Sequence, residues 1–409
     1  MLKTIVKNTL KALFWLLLFM VVAIGVAGTS SVLLTLAMYF LMWFTATRLN
    51  NKLTGNQNKR SNYHLLITTL VLSLLACELT LKYVVKLNLS YSEANGRWLY
   101  DSQYKQLVWQ NITRKYIYKT TAPLVYANDP NTSQTLVTPD FTFKQTYNSL
   151  GLRGEEPKKD SSLYNIIGLG DSFTEGVGAP ADSTWPLLFE AICRQKFTQS
   201  VQVINAGKSN SDPFMELILL KDRLLQYKPR MVIICVNQSD LSDVISRGGH
   251  ERFLNTNLFK TPGPWWEFFY SYSYIFRAIA KAVFNVDVNL LTPEQLTRQK
   301  ALANAEIATC LTEDFKALAA KYHFKPVVIL HPMQWELDDK IFELKPLATA
   351  LSHDSSFTVI NLYEDYKQQI NNGKLKSKAI YWPTDRHHNA KGYNLWARIL
   401  SEKITIDAN

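Results

Sequence analysis

Two short stretches carry residue types that could make an activated nucleophile. Gly168-Leu169-Gly170-Asp171-Ser172-Phe173-Thr174-Glu175-Gly176 follows directly from the apolar run Tyr164–Leu169. A serine becomes nucleophilic when it is exposed and a neighbouring base takes its proton. The flanking glycines permit a sharp turn and close approach of a substrate to the backbone. Near the C-terminus stands Asp385-Arg386-His387-His388-Asn389-Ala390-Lys391-Gly392-Tyr393. With aspartate and histidine two positions apart, the imidazole would accept the serine proton and the carboxylate would fix its tautomer. Each stretch also has a plainer reading. Gly-Asp-Ser suits a helix N-cap after a strand, and Asp-x-His suits a surface loop or a metal ligand pair.

Two further groups could donate hydrogen bonds to a developing oxyanion. Gly207, ending Val203-Ile204-Asn205-Ala206-Gly207, offers a backbone N–H. Asn237, opening Asn237-Gln238-Ser239-Asp240, offers a side-chain amide. The four cysteines, Cys77, Cys193, Cys235 and Cys310, form no CxxC or Cys/His pattern, so neither a structural metal nor a cofactor is expected. They read as buried free thiols.

The elements that must position these residues are regular from about residue 161. Tyr164–Leu169, Val201–Ile204, Met231–Val236, Pro326–Leu330 and Phe357–Leu362 read as strands. Trp185–Lys196, Phe214–Tyr227, Pro293–Tyr322 and Ala390–Lys403 read as helices. Short apolar strands alternating with helices predict an α/β fold, a parallel sheet covered on both faces. Sites in such sheets lie at the carboxyl ends of the strands. The Ser172, Gly207 and Asn237 stretches end strands, and Asp385 and His387, just before the last helix, can both face that sheet edge. Residues 86–160, rich in Tyr, Thr, Asn and Gln, read as a connecting segment with short strands that packs on the main domain. An aromatic insertion at 245–292 holds Pro262, Pro264, Trp265, Trp266, Phe268, Phe269, Tyr270, Tyr272 and Tyr274. It could wall an acyl or sugar site, move as a lid, pack the insertion on the core, or touch a membrane interface. These readings stay open.

The 409 residues are 47% hydrophobic and 19% charged, which argues against general disorder. Net charge is +11, and its clusters (Lys3, Lys7, Lys11, then Arg48, Lys52, Lys59, Arg60) flank apolar segments. Without a basic-aromatic stripe, no nucleic-acid partner is indicated. From Leu10 to Thr47 Lys11 is the one charge, and a helix of that length would run about 57 Å against a bilayer core of about 30 Å. We therefore read spans at about 10–27 and 31–48 and a third at 63–81. The basic residues place the N-terminus and the 49–62 loop in the cytoplasm, and three spans put the rest outside. Glu78, one turn before Lys82, reads as half of an i,i+4 surface pair near the outer interface.

The order Gly-Asp-Ser, Asn-Ala-Gly, a strand-end Asn/Ser-Asp, then Asp-x-His-x-Asn-x-x-Gly resembles the SGNH (GDSL-type) hydrolase family over about 145–405. Asn148-Ser149-Leu150-Gly151-Leu152-Arg153 resembles the lead-in of membrane-anchored bacterial members linked to polysaccharide modification. The resemblance implies a three-layer α/β/α, flavodoxin-like domain with Ser172 as nucleophile, His387 as base and Asp385 as its partner. It implies an oxyanion hole from the N–H groups of Ser172 and Gly207 and the third-block asparagine. The spacing to Asn389 and Gly392 favours His387 over His388. The third block departs from the family's Gly-x-Asn-Asp. Counted from Pro229-Arg230, the Asn-Asp pair falls on Ser239-Asp240, while Asn237 lies two positions earlier on the same side of an extended chain. Asn237 and Ser239 are thus rivals.

The expected organisation is a transmembrane region at 1–85, a connecting segment at 86–160 and an SGNH domain at 161–409. The expected activity is a serine esterase of the bacterial inner membrane, removing acyl groups, acetyl foremost, from an extracytoplasmic glycan. An O-acyltransferase and a non-catalytic glycan-binding relic are the alternatives.

Overall fold

The computed structural model describes residues 32–86, 127–160, 162–250, 266, 269–270, 273–287 and 290–406. The first expected span, with Lys3, Lys7 and Lys11, lies outside the described residues, as do Pro262, Pro264, Trp265, Phe268 and Tyr272 of the insertion. In chain order the helices are α1 (Val32–Leu53), α2 (Gln57–Tyr83), α3 (Ser172–Glu175), α4 (Trp185–Lys196), α5 (Pro213–Leu219), α6 (Gln238–Arg247), α7 (Tyr274–Phe284), α8 (Pro293–Thr309), α9 (Lys316–Tyr322), α10 (Gln334–Asp339), α11 (Lys345–Ser352), α12 (Leu362–Asn371) and α13 (Ala390–Lys403). The strands are β1 (Ser133–Val137), β2 (Thr142–Thr146), β3 (Tyr164–Gly170), β4 (Val201–Gly207), β5 (Met231–Val236), β6 (Lys325–Leu330) and β7 (Thr358–Asn361). The chain divides into two compact units, Met1–Ile117 with Pro262–Leu296, and Tyr118–Thr261 with Thr297–Asn409.

In the first unit α1 packs on α2, and Trp43 Nε1 donates to Thr68 Oγ1 at 2.8 Å. The polar stretch expected as a loop at 49–62 is helical except for Thr54–Asn56. Local caps explain this. Asn56 accepts the N–H groups of Asn58 and Lys59, and Arg60 donates twice to Thr54 O, at 3.0 and 2.7 Å. Among the described residues one helix, Gln57–Tyr83, is long and apolar enough to cross a membrane. Glu78 is not a surface partner of Lys82, being only 4% exposed. Its carboxylate accepts from Tyr274 N at 2.6 Å, Ile275 N at 3.1 Å and Ser273 Oγ at 3.2 Å. The first N–H groups of α7 have no acceptor within their own helix, and that end carries a partial positive charge; a carboxylate answers both.

In the second unit five parallel strands run in the order β4-β3-β5-β6-β7. Both faces are buried, so the strands read as continuous apolar runs. Ile167, Leu169, Val232, Ile234 and Val328 enter one core, with Leu217, Ile307 and Leu347. Ile166, Val203, Ile233, Val327 and Ile360 enter the other, with Phe189, Tyr366 and Trp396. The result is an α/β fold in three layers. Trp185 of α4 stacks on Trp396 of α13 at 5.3 Å on one face. The sequence topology starts in the middle: β3 lies between β4 and β5, and the chain crosses from one side to the other there. That crevice at the strand ends is where ligands bind in open α/β sheets.

The strands fall within a few residues of their expected positions. β4 extends three residues further, because Asn205-Ala206-Gly207 continues the pairing with Gly168-Leu169-Gly170. Two expected helices contain π turns, at Leu220–Leu224 and Cys310–Phe315. Within the 86–160 segment, β1 and β2 form an antiparallel hairpin. All four cysteines are free; Cys193, Cys235 and Cys310 are buried, while Cys77 is exposed rather than buried as expected, on α2.

Candidate active site

Ser172 opens α3 immediately beyond β3. The chain turns there because Asp171 caps the helix, its Oδ1 accepting Phe173 N–H at 2.9 Å. The turn needs a glycine at position 170, where φ is +153° and a Cβ would lie 2.1 Å from Thr174 Oγ1. As the first helical residue, Ser172 keeps its N–H outside the helix's own hydrogen bonds.

His387 reaches this hydroxyl. Its Nε2 lies 2.7 Å from Ser172 Oγ, and its Nδ1 lies 2.6 Å from Asp385 Oδ1. A carboxylate only accepts, so Nδ1 carries the proton, Nε2 accepts, and the serine hydroxyl donates. Burial raises the Asp385 carboxyl, but the hydrogen bond and charge of His387 outweigh it and hold the group below its ordinary value. Ser172 and His387 are partly exposed, so a substrate can reach them.

The loop carrying Asp385 and His387 is held from several sides. Arg386 between them adopts φ +70°, which turns residues i and i+2 to a common side. Left-handed backbone at a non-glycine residue costs about 1 kcal/mol or more and persists where the surroundings enforce it. Here Trp382 N donates to His387 O at 2.8 Å, and Arg386 N donates to Trp382 O at 3.0 Å. Trp382 Nε1 reaches Gly178 O at 2.8 Å. From the β1–β2 hairpin, Asp140 Oδ2 accepts the N–H groups of Thr384 and Asp385. Phe141 packs beside it on Trp382, with ring centroids 5.6 Å apart.

The nucleophile helix is anchored from its other end. Arg153 is 2% exposed and donates to the carbonyls of Glu175, Gly176 and Ala179. Tyr393 OH donates to Val177 O at 2.7 Å. The buried Glu175 carboxylate accepts from Tyr147 OH, Asn128 Nδ2, Ser209 N and Ser209 Oγ.

The structure places the two oxyanion candidates differently from a free donor pair. Gly207 N donates to Asn205 Oδ1 at 3.1 Å. A Cβ at Gly207 would lie 2.0 Å from Glu175 N, so close packing against α3 already requires glycine there. Asn237 is 2% exposed, and its Nδ2 donates to Asp171 Oδ2 at 2.9 Å. Ser239 Oγ lies 2.8 Å from the same oxygen. Both rivals therefore bind the aspartate before the nucleophile and tie the ends of β3 and β5 together. Behind them, burial first and then neighbouring carboxylates push Asp240 and Glu216 well above the usual carboxyl range.

His388 points away from the serine into the core, where it is fully buried. Its Nδ1 lies 2.7 Å from Ile380 O and so carries the proton; its Nε2 accepts from His331 Nε2 at 2.9 Å. Burial pushes His388 down to about 3 and His331 well below its ordinary value. The Phe173 ring separates this pair from the site, 4.5 Å from His331 and 4.8 Å from His387. Among the described residues no group of three or more His, Cys, Asp or Glu is placed to hold a metal ion.

Sequence alone does not mark Asp140, Arg153, Glu175 and His331 as functional or supporting residues. Arg153 carries a weak signal in its motif, and Asp140 sits in the stretch Thr138-Pro139-Asp140, but nothing local points to their targets.

No family model matches the sequence, and no curated protein matches it. Several solved structures are similar. One is a two-domain esterase active on acetylated mannans, 14% identical, TM-score 0.37, covering 60% of this chain and 49% of that one. Another is the acetyl xylan esterase AlAXEase, 15% identical, TM-score 0.37, covering 59% and 100%. A third is a lipase/acylhydrolase from Enterococcus faecalis, 15% identical, TM-score 0.35, covering 60% and 99%. The match thus spans about half the length of the two-domain enzyme.

Proposed function

We propose that this protein is a membrane-held serine esterase of the SGNH type, which removes acyl groups, acetyl foremost, from an extracytoplasmic glycan. The observation that carries this reading is the unbroken chain Asp385–His387–Ser172 at the end of β3, with hydrogen bonds of 2.6 and 2.7 Å. In an ester hydrolase built this way, Ser172 Oγ attacks the carbonyl carbon as His387 Nε2 takes its proton. The tetrahedral oxyanion collapses, the C–O bond to the sugar breaks, and the imidazolium returns the proton to the departing oxygen. Water activated by His387 then cleaves the acyl-Ser172 ester and regenerates the hydroxyl. The Ser172 N–H is the donor best placed by chain position to meet the oxyanion. The glycan rests on the Asn148–Arg153 lead-in and its resemblance to members linked to polysaccharide modification. The membrane rests on the Gln57–Tyr83 helix and the apolar segments before it.

The test uses the full chain in detergent micelles with p-nitrophenyl acetate and an acetylated oligosaccharide. Release of p-nitrophenol and acetate that Ser172→Ala abolishes is expected. Absence of serine-dependent release from either substrate would contradict the esterase. Acetyl transfer to added oligosaccharide in excess of hydrolysis would replace it with the acyltransferase.

A further inference from the structure

Helix α7 is inverted relative to a helix that faces water. Its arginine, Arg277, is 1% exposed, with the guanidinium 4.6 Å from the Tyr274 ring centroid and Nε donating to Tyr270 O at 2.7 Å. Its apolar residues Ile279 and Val283, one turn apart, are 46% and 68% exposed, and the adjoining Phe284 is 50% exposed. Single exposed apolar residues are ordinary on soluble proteins. A turn-spaced apolar strip opposite a buried cation is not.

The place where α7 begins identifies what covers the strip. Its first N–H groups are held by Glu78, a residue of α2, the helix long and apolar enough to cross a membrane. Toward the middle of α2, Leu65, Leu66, Leu70 and Leu72 are all exposed. One turn beyond Glu78, the Lys82 ammonium lies 5.3 Å from the Tyr83 ring centroid and 5.8 Å from that of Tyr274. Lysine and tyrosine together mark the boundary between hydrocarbon and water, where an amphipathic side chain keeps its polar tip wet. The carboxylate thus fixes α7 at the boundary end of α2, and the two helices expose apolar side chains in one unit.

We infer that α7 is an interfacial helix, with Ile279, Val283 and Phe284 seated in the headgroup–acyl boundary of a phospholipid bilayer. Such helices bury their apolar face about 5–10 Å into that layer. The alternative occupant, a second copy of this chain, fits poorly. A stable dimer buries about 800 Å² on each partner, well beyond what three side chains offer. The inference rests on the reading of α2 as a membrane span.

The experiment uses the full chain, with Cys77→Ser to remove its exposed thiol, in vesicles of mixed phosphatidylcholine and phosphatidylglycerol. An environment-sensitive fluorophore is attached at Val283→Cys, at Leu70→Cys on α2, or at the exposed Thr349→Cys as a water-facing control. Lipids spin-labelled near the headgroup should quench the probe at 283 at least about twofold. Lipids spin-labelled deep in the acyl chain should quench the probe at 70, at the middle of α2, while aqueous iodide quenches neither. The probe at 349 should behave in the opposite way. Glu78→Ala should lower the quenching at 283 and leave that at 70 unchanged. Iodide quenching at 283 with lipid quenching intact at 70 would overturn the placement of α7 alone. Shielding of 283 from both quenchers would assign the strip to a protein partner and likewise overturn it. Loss of lipid quenching at 70 would overturn the spanning helix and the inference with it.

Discussion

The carboxylate of Asp140 accepts hydrogen bonds from the backbone N–H of Asp385, at 2.7 Å, and of Thr384, at 2.8 Å. The hairpin that carries Asp140 lies outside the parallel sheet, yet it sets the backbone from which Asp385 reaches His387. Asp140 thus acts through Asp385 and touches no reacting atom. Asp140→Ala should lower kcat for p-nitrophenyl acetate about 10- to 100-fold, with KM within about twofold, because misplaced catalytic groups lose transition-state rather than ground-state interactions. Asp140→Asn keeps an accepting oxygen and should restore most of the rate. Steady-state kinetics of both variants check this, and equal losses in the two would contradict it.

Arg153 makes a different kind of contact. Its guanidinium satisfies three carbonyls at the end of the nucleophile helix from a site 2% exposed. Removing it strands those acceptors in the interior, and Arg153→Ala should cost about 3 kcal/mol of stability. Thermal unfolding followed by circular dichroism should show the loss. A variant that melts with the parent would show that the carbonyls find other partners.

The two core histidines predict an acid sensitivity separate from catalysis. His388, pushed down to about 3 by burial, stays neutral in the folded chain at pH values where the unfolded chain binds a proton. Stability from this group is therefore present above about pH 6.5 and is lost as pH falls through the window toward about 3. His331 is displaced in the same direction and adds to it. The slope should approach about 1.4 kcal/mol per pH unit per histidine. His388→Phe should flatten it, as read from melting temperatures between pH 7 and pH 5.

Much of this architecture is legible in the sequence because it is local. The runs Tyr164–Leu169 and Met231–Val236 are continuous apolar stretches, as strands buried on both faces must be. Ser172 and the Asp385-x-His387 pair fall at element ends, and the structure brings them together in the expected order. Gly207 and Asn237 show the limit of such reading. Their types fit oxyanion donors, but the same types also fit close packing on α3 and a tie to Asp171, and sequence cannot separate the two. The contacts of Asp140, Arg153 and Glu78 are opaque in sequence for another reason. Each side chain finds its partners on elements distant in sequence, and a lone aspartate, arginine or glutamate carries no sign of which backbone it will meet. The Thr54–Asn56 turn reads in sequence as a longer loop, 49–62, because the polar residues flanking it suit solvent as well as capped helix ends.

The most direct measurement is covalent labelling of the full chain with a fluorophosphonate, followed by mass spectrometry of the peptide containing Ser172. The account predicts modification at Ser172 Oγ, none in Ser172→Ala, and a rate lowered at least about 100-fold in His387→Ala, where the base is missing. Labelling that persists in Ser172→Ala, or proceeds unchanged in His387→Ala, would contradict it.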